Sequence, residues 1–292
     1  MDVYTLRVLS ESVGCEASCP HCAYHEAKRP AVEAEFDFQK FKRVRQFALR
    51  SGAVSIGIEA KGDPLLGEWT TLYQILSEAN TDFPQIGLTT PGQSILEAKD
   101  SFLNLIGRHL TNLTLTIPHQ DPEKRKTLLG LDLDYKPLVS FLRDECDVVV
   151  RVGCSLSKQG ISSPGEALDF VLWCREMGVQ QVAFREIGTP DKSLNRKGRE
   201  WCLKNAVELD VEENWNFDDA AQTVFYVNSL VMQNQAQPVF VFPWGEIVYD
   251  IEGVNVVFEK SQSRYYGKFI KSLVFSNNHL YARWESEGTI IF

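Results

Sequence analysis

The chain has 292 residues, 44% hydrophobic and 24% charged, an ordinary globular mix without a membrane-length apolar run, an internal repeat or a low-complexity tract. Its net charge of −9 weighs against RNA or another polyanion as partner. Seven cysteines without framework spacing, behind an N-terminus that lacks a basic and apolar leader, point to a reducing cytoplasm rather than a disulfide scaffold.

Taken in chain order, the segments alternate. A strand over Tyr4–Ser10 leads into a cysteine-rich loop. Asp37 caps a helix that runs to Arg50, with Phe38, Phe41, Val44 and Ala48 on one side and Gly52 as its stop. Strands over Val54–Ala60, Gln85–Thr90, Asn112–Pro118, Asp147–Cys154 and Gln181–Ile187 then alternate with helices over Trp69–Ala79, Ser94–Gly107, Tyr135–Arg143, Pro164–Met177 and Lys197–Val207. Six strands, each followed by a helix, predict an α/β chain with a parallel sheet, open or curling into a partial barrel. Six units fall short of a closed eight-unit barrel. From about Asp218 the pattern changes to short β-like runs over Val224–Met232, Val239–Phe242, Ile247–Tyr249, Val254–Phe258, Lys271–Phe275 and Leu280–Trp284, with Asn277-Asn278 as a hairpin turn. The expected organisation is a core over residues 1–217 and a β-rich region over 218–292, packed on the barrel and closing its open side.

Chemistry concentrates in the loop after the first strand. Cys15, Cys19 and Cys22 have the spacing C-x3-C-x2-C. Three thiolates so close can face one soft metal centre, and a cubane iron–sulfur cluster held by three cysteines keeps one iron open for chemistry. The other reading is a zinc knuckle, with His21 or His25 as fourth ligand, or an electron carrier. Zinc motifs usually carry a second ligand pair, and none is present in this sequence. A second motif, Lys61-Gly62-Asp63-Pro64, ends the second strand, where a glycine lets backbone approach a ligand. Cys146, Cys154, Cys174 and Cys202 are unpaired in spacing and read as small buried apolar residues.

The two motifs together resemble the radical S-adenosylmethionine (SAM) superfamily. The resemblance implies a (β/α)6 partial TIM-like barrel with a C-terminal β-rich extension. It implies one oxygen-sensitive [4Fe-4S] cluster on Cys15, Cys19 and Cys22, with SAM on the fourth iron. His21 stands where the family has an aromatic residue beside the adenine. Gly62, Asp63 and Pro64 stand where a Gly-Glu-Pro backbone meets the SAM amino group, with Asp in place of the usual Glu. Strands three to five are similar to the branch that holds the molybdenum-cofactor GTP cyclase and viperin. Leu88-Thr89-Thr90-Pro91-Gly92 and Leu115-Thr116-Ile117-Pro118 carry that likeness. By that match Thr116 contacts SAM, and Thr90, Arg151 and Arg185 are substrate-binding candidates. The cyclase has three further C-terminal cysteines and a terminal Gly-Gly, which this chain lacks. No catalytic residue beyond the cluster is assigned. The implied substrate is small or medium-sized and polar, nucleotide-like or a biosynthetic intermediate. A peptide or RNA substrate is the alternative. The implied partner is an electron donor such as flavodoxin or ferredoxin, without nucleic acid or membrane.

Overall fold

The structure is a computed structural model that describes residues 2–10, 14–22, 35–187, 196–210, 224–233, 235–261, 269–282 and 289–291. Six strands run parallel in sequence order: β1 (Asp2–Ser10), β2 (Ser55–Ala60), β3 (Gln85–Thr90), β4 (Asn112–Thr116), β5 (Val149–Leu156) and β6 (Gln181–Glu186). A short parallel pair, β7 (Glu208–Asp210) and β8 (Val224–Tyr226), stands apart from them. The tail adds β9 (Gln237–Val241), β10 (Ile247–Ile251), β11 (Val254–Glu259), β12 (Phe269–Ser276) and β13 (His279–Tyr281). The helices are α1 (Phe38–Arg50), α2 (Trp69–Asn80), α3 (Gln93–Glu97), α4 (Lys99–Leu105), α5 (Pro122–Leu129), α6 (Tyr135–Asp144), α7 (Pro164–Met177), α8 (Arg196–Asn205) and α9 (Asn228–Met232).

The tail strands continue the sheet at both edges. β11 joins β6 in parallel, and β12 joins β1 in parallel. The result is one curled sheet of eleven strands in the order β13-β12-β1-β2-β3-β4-β5-β6-β11-β10-β9. Asn277 and Asn278 both take positive φ, 49° and 58°, as the two-residue turn between β12 and β13 needs. Between β9 and β10, Phe242 to Glu246 reaches back across the opening. Trp244 meets Tyr4 of β1 with ring centroids 4.8 Å apart, and Lys271 of β12 contacts Glu246 at 2.7 Å. The six-unit partial barrel with a β-rich extension is therefore the observed fold.

Strand periodicity explains why the sheet curls around a polar interior. Alternate residues face opposite sides of a strand. Leu6, Val8, Ile56, Ile58, Ile86, Leu88, Leu113, Leu115, Val150, Val152, Val182, Phe184, Val256 and Phe258 are buried in the apolar core. The helices cover that side: Phe41, Val44 and Ala48 are the buried residues of α1. Removing the Phe41 ring is expected to cost about 3–5 kcal/mol. The residues between them, such as Thr5, Arg7, Glu59, Asn112, Thr114, Arg151 and Arg185, line a cavity inside the curled sheet.

Three local expectations change. The helix expected over Ser94–Gly107 is two helices, because Ala98 leaves helical geometry at φ −139° and ψ 46°. The strand expected over Val224–Met232 is a three-residue strand followed by α9. α5 was not foreseen, although Asp121 caps it by accepting from Glu123 and Lys124 N–H, with Pro122 in its first turn. The Asp-Pro-Glu triplet was its sequence signal. His25 and Trp284 lie outside the described residues.

Candidate active site

The cysteine loop follows the C-terminal end of β1, and the Lys61–Pro64 turn follows that of β2. A backbone hydrogen bond joins them: Asp63 N–H donates to Gly14 C=O at 2.8 Å. A second anchor comes from α5, where Ser18 N–H donates to Leu129 C=O at 2.8 Å. Gly130 makes that approach possible. It sits at φ +75°, and a Cβ there would stand 2.0 Å from Ser18 Oγ. Cys22 N–H donates to Cys19 C=O at 3.1 Å, which turns the loop back on itself.

The three thiols are half-buried, and the others stand near enough to Cys19 to oppose its ionisation. Burial first, and then the neighbouring acidic groups, push Cys15 up to about 11 and Cys19 up to about 12. Among the described residues no three His, Cys, Asp or Glu side chains converge on a point that one metal ion would occupy. In a cubane cluster each thiolate has its own iron, so the ligands stand further apart.

The Asp63 side chain is fully buried and turned into its own loop. It accepts from Leu65 N–H at 3.1 Å and from Thr90 Oγ at 3.0 Å, and Thr90 Oγ accepts from Gly92 N–H at 3.0 Å. Burial raises the Asp63 carboxyl to about 6, against those hydrogen bonds. Thr90 thereby supports the loop after β2 with its hydroxyl. Thr116 ends β4, opposite Gly153, and its carbonyl lies 3.5 Å from the Tyr135 hydroxyl. Tyr135 and Trp173 sandwich the Arg125 guanidinium at 5.7 and 5.5 Å. His21 lies 5.7 Å from the Trp201 ring of α8, and burial lowers its pKa to about 4. Trp201, Tyr135 and Arg125 were not singled out from sequence, because α5 to α8 reach the rim only through the fold.

Four buried polar atoms in this region have no hydrogen-bond partner: Glu16 Oε2, His21 Nδ1, Gln120 Oε1 and Arg125 Nε. Buried polar groups are nearly always paired, so a cluster of such atoms is what a polar ligand or cluster would satisfy. The residues here fit an iron–sulfur cluster with a polar nucleoside beside it.

Arg151 and Arg185 line the cavity. Arg151 Nε and Nη2 donate to Gln181 Oε1 at 2.9 and 2.6 Å. Arg185 pairs with Glu259 at 2.8 Å. Burial raises Glu259, but Arg185, Lys271, Arg7 and Arg151 outweigh that and hold it at about 2. The structure thus separates the sequence-derived residues into two groups. Cys15, Cys19, Cys22, His21, Gly62, Asp63, Pro64, Thr90 and Thr116 belong to the strand ends and the loops after them, and the two arginines line the lumen.

No family model and no curated protein matches the sequence. Solved structures do. The structure of Streptococcus suis SuiB bound to S-adenosylmethionine superposes with a TM-score of 0.62 at 14% identity, covering 99% of this chain and 63% of that one. This chain is similar in fold to SuiB. SuiB bound to its precursor peptide SuiA gives a TM-score of 0.60 at 13% identity, over 97% of this chain and 60% of that one. The chain thus spans about three-fifths of SuiB's length. At such identity the likeness speaks for the fold.

Proposed function

We propose that the chain is a radical SAM enzyme that abstracts a hydrogen atom from its substrate. Cys15, Cys19 and Cys22 hold one [4Fe-4S] cluster, with the fourth iron left for SAM. The observation that carries this reading is the bond from Asp63 N–H to Gly14 C=O, which ties the Gly62–Pro64 turn to the start of the loop that carries the three cysteines. When bound, the cluster supplies one electron that breaks the SAM C5′–S bond and yields a radical able to take hydrogen from carbon.

The chain's own residues orient and shield. The Gly62-Asp63-Pro64 backbone takes the SAM amino group. Asp63 holds that backbone rigid through Leu65 and Thr90, which is why an acid one carbon shorter than the usual Glu serves here. His21, packed beside the Trp201 ring, stands next to the adenine, and Thr116 contacts SAM. Arg151 and the cavity below it take the substrate. Residues 1–217 carry this chemistry, and the tail strands β9 to β12 join β1 to β6 in walling the lumen.

The substrate is a small or medium-sized polar molecule. A peptide is the second reading, favoured by the complex of SuiB with a precursor peptide. An electron donor such as flavodoxin or ferredoxin completes the cycle. No helix among the described residues is long and apolar enough to cross a membrane. The test is anaerobic reconstitution. Brown protein with about four irons and four sulfides per chain, forming 5′-deoxyadenosine from SAM and dithionite, is the expected outcome. Zinc at about one ion per chain, without 5′-deoxyadenosine, rejects the reading.

A further inference from the structure

The cavity inside the curled sheet has a volume of 390 Å³, within the range of small-ligand pockets. Residues of ten strands line it, among them Ser55, Gln85, Asn112 and Gln181, each the first residue of its strand. It therefore reaches the N-terminal end of the lumen, away from the cysteine loop. Val239 and Phe240 of β9, 55% and 54% exposed, stand at its mouth.

Its charges do not balance. Among the described lining residues there are four cations, Arg7, Arg151, Arg185 and Lys271, and three carboxylates, Glu59, Glu246 and Glu259. Arg7 pairs with Glu59, Arg185 with Glu259, and Lys271 with Glu246 and Glu259. Arg151 hydrogen-bonds only the amide oxygen of Gln181, and Glu259, whose charge also reaches it, is already shared by Arg185 and Lys271. One edge of its guanidinium is engaged there. The other edge has no acceptor among the described residues and borders the cavity. A guanidinium taken out of water without an anion is costly. The wall beyond is aromatic: Phe242 stacks on Trp244 at 4.4 Å, and Tyr4 meets Trp244 edge-on.

We propose that this lumen binds a carboxylic acid with a planar apolar body, its carboxylate forked on Arg151 and its body against Tyr4, Phe242 and Trp244. The inference rests on the radical SAM reading only in making that acid the substrate. A carboxylate cancels the single excess positive charge and matches the planar fork. A phosphate dianion would leave a surplus negative charge facing Glu59 and Glu259. Thr114 pairs with Arg151, and Thr116 stands two residues further up β4, a rise of about 7 Å. A ligand anchored on Arg151 therefore needs only a few carbons to reach the SAM level.

The probe is 4-fluorobenzoate, observed by fluorine NMR with the full chain after anaerobic reconstitution. Saturable line broadening is expected. Arg151→Gln should weaken binding about tenfold. Gln181→Glu should weaken it similarly, because it supplies Arg151 with an internal carboxylate at the same geometry. A merely structural Arg151–Gln181 pair would leave the probe untouched by that isosteric change. Neutral 4-fluorobenzamide should bind no better than 4-fluorobenzoate binds to the Arg151→Gln variant, and inorganic phosphate should not displace the probe. Absence of saturable binding, binding by either folded variant as tight as by the wild type, or displacement by phosphate overturns the proposal. Circular dichroism checks that each variant folds, and Gln181→Glu carries the test if Arg151→Gln does not. Iron content and 5′-deoxyadenosine formation score the radical SAM reading separately, so failure of one is not mistaken for failure of the other.

Discussion

The two ends of the lumen are built by different physics. At the upper rim, the segments after β1 and β2 are tied together by a backbone hydrogen bond, and within each motif the chemistry-bearing residues are near neighbours in sequence. In the lower half, charged and aromatic side chains from strands up to 265 residues apart meet, as Arg7 and Ser272 do. The upper end is specified by local spacing and by glycines. The lower end is specified by parity: each strand sends every second side chain inward, and the tail brings counter-charges to meet them. A loop so built tolerates change outside its motif. A lumen so built is sensitive to any unpaired charge.

The largest expected effect breaks the upper end alone. Replacing Cys15, Cys19 or Cys22 by Ala should abolish iron binding and SAM cleavage, read as iron per chain and 5′-deoxyadenosine. Lumen binding of a carboxylate probe should persist. Cys146→Ala or Cys202→Ala should keep the iron, and loss of iron in Cys202→Ala would overturn the single-cluster assignment.

Next comes the lower end. Glu259→Ala strands Arg185, while Lys271 keeps Glu246, and should cost about 3 kcal/mol in urea unfolding. Glu259 titrates near 2 in the folded chain, below its usual range near 4.5. Its contribution is therefore full above about pH 4.5 and is lost as pH falls toward about 2. The Glu259→Gln variant should lose that part of the acid dependence, while a wild-type-like pH profile would remove Glu259 from the account.

Gly130→Ala sharpens the comparison at smaller cost. The positive φ and the crowding of Ser18 Oγ should cost about 1–2 kcal/mol and displace the cysteine loop. Cluster occupancy should fall more than carboxylate binding does. Equal loss at both ends would mean that the two are coupled. Smallest is Ser163→Ala. It removes the capping box between Ser163 and Glu166 at the start of α7, outside both sites. A loss of about 1 kcal/mol is expected, with SAM cleavage unchanged.

The sequence by itself determined what depends on short-range order. Hydrophobic periodicity marked all six barrel strands, and Gln85–Thr90 and Pro164–Met177 match the observed bounds. The cysteine spacing and the Gly-Asp-Pro turn located the upper rim. α5 was legible in Asp121-Pro122-Glu123 but was passed over, because its eight residues show little amphipathic contrast. What only the tertiary structure decided is where the tail goes. β11 and β12 are both short apolar runs, and nothing local says that one extends the sheet beside β6 and the other beside β1. That choice depends on which exposed strand edges remain after the six parallel strands have paired. It places Glu259 opposite Arg185 and Lys271 near Glu246, and leaves Arg151 with an amide alone. Charge balance inside a barrel is a property of strands brought together in space, so no reading along the chain could count it.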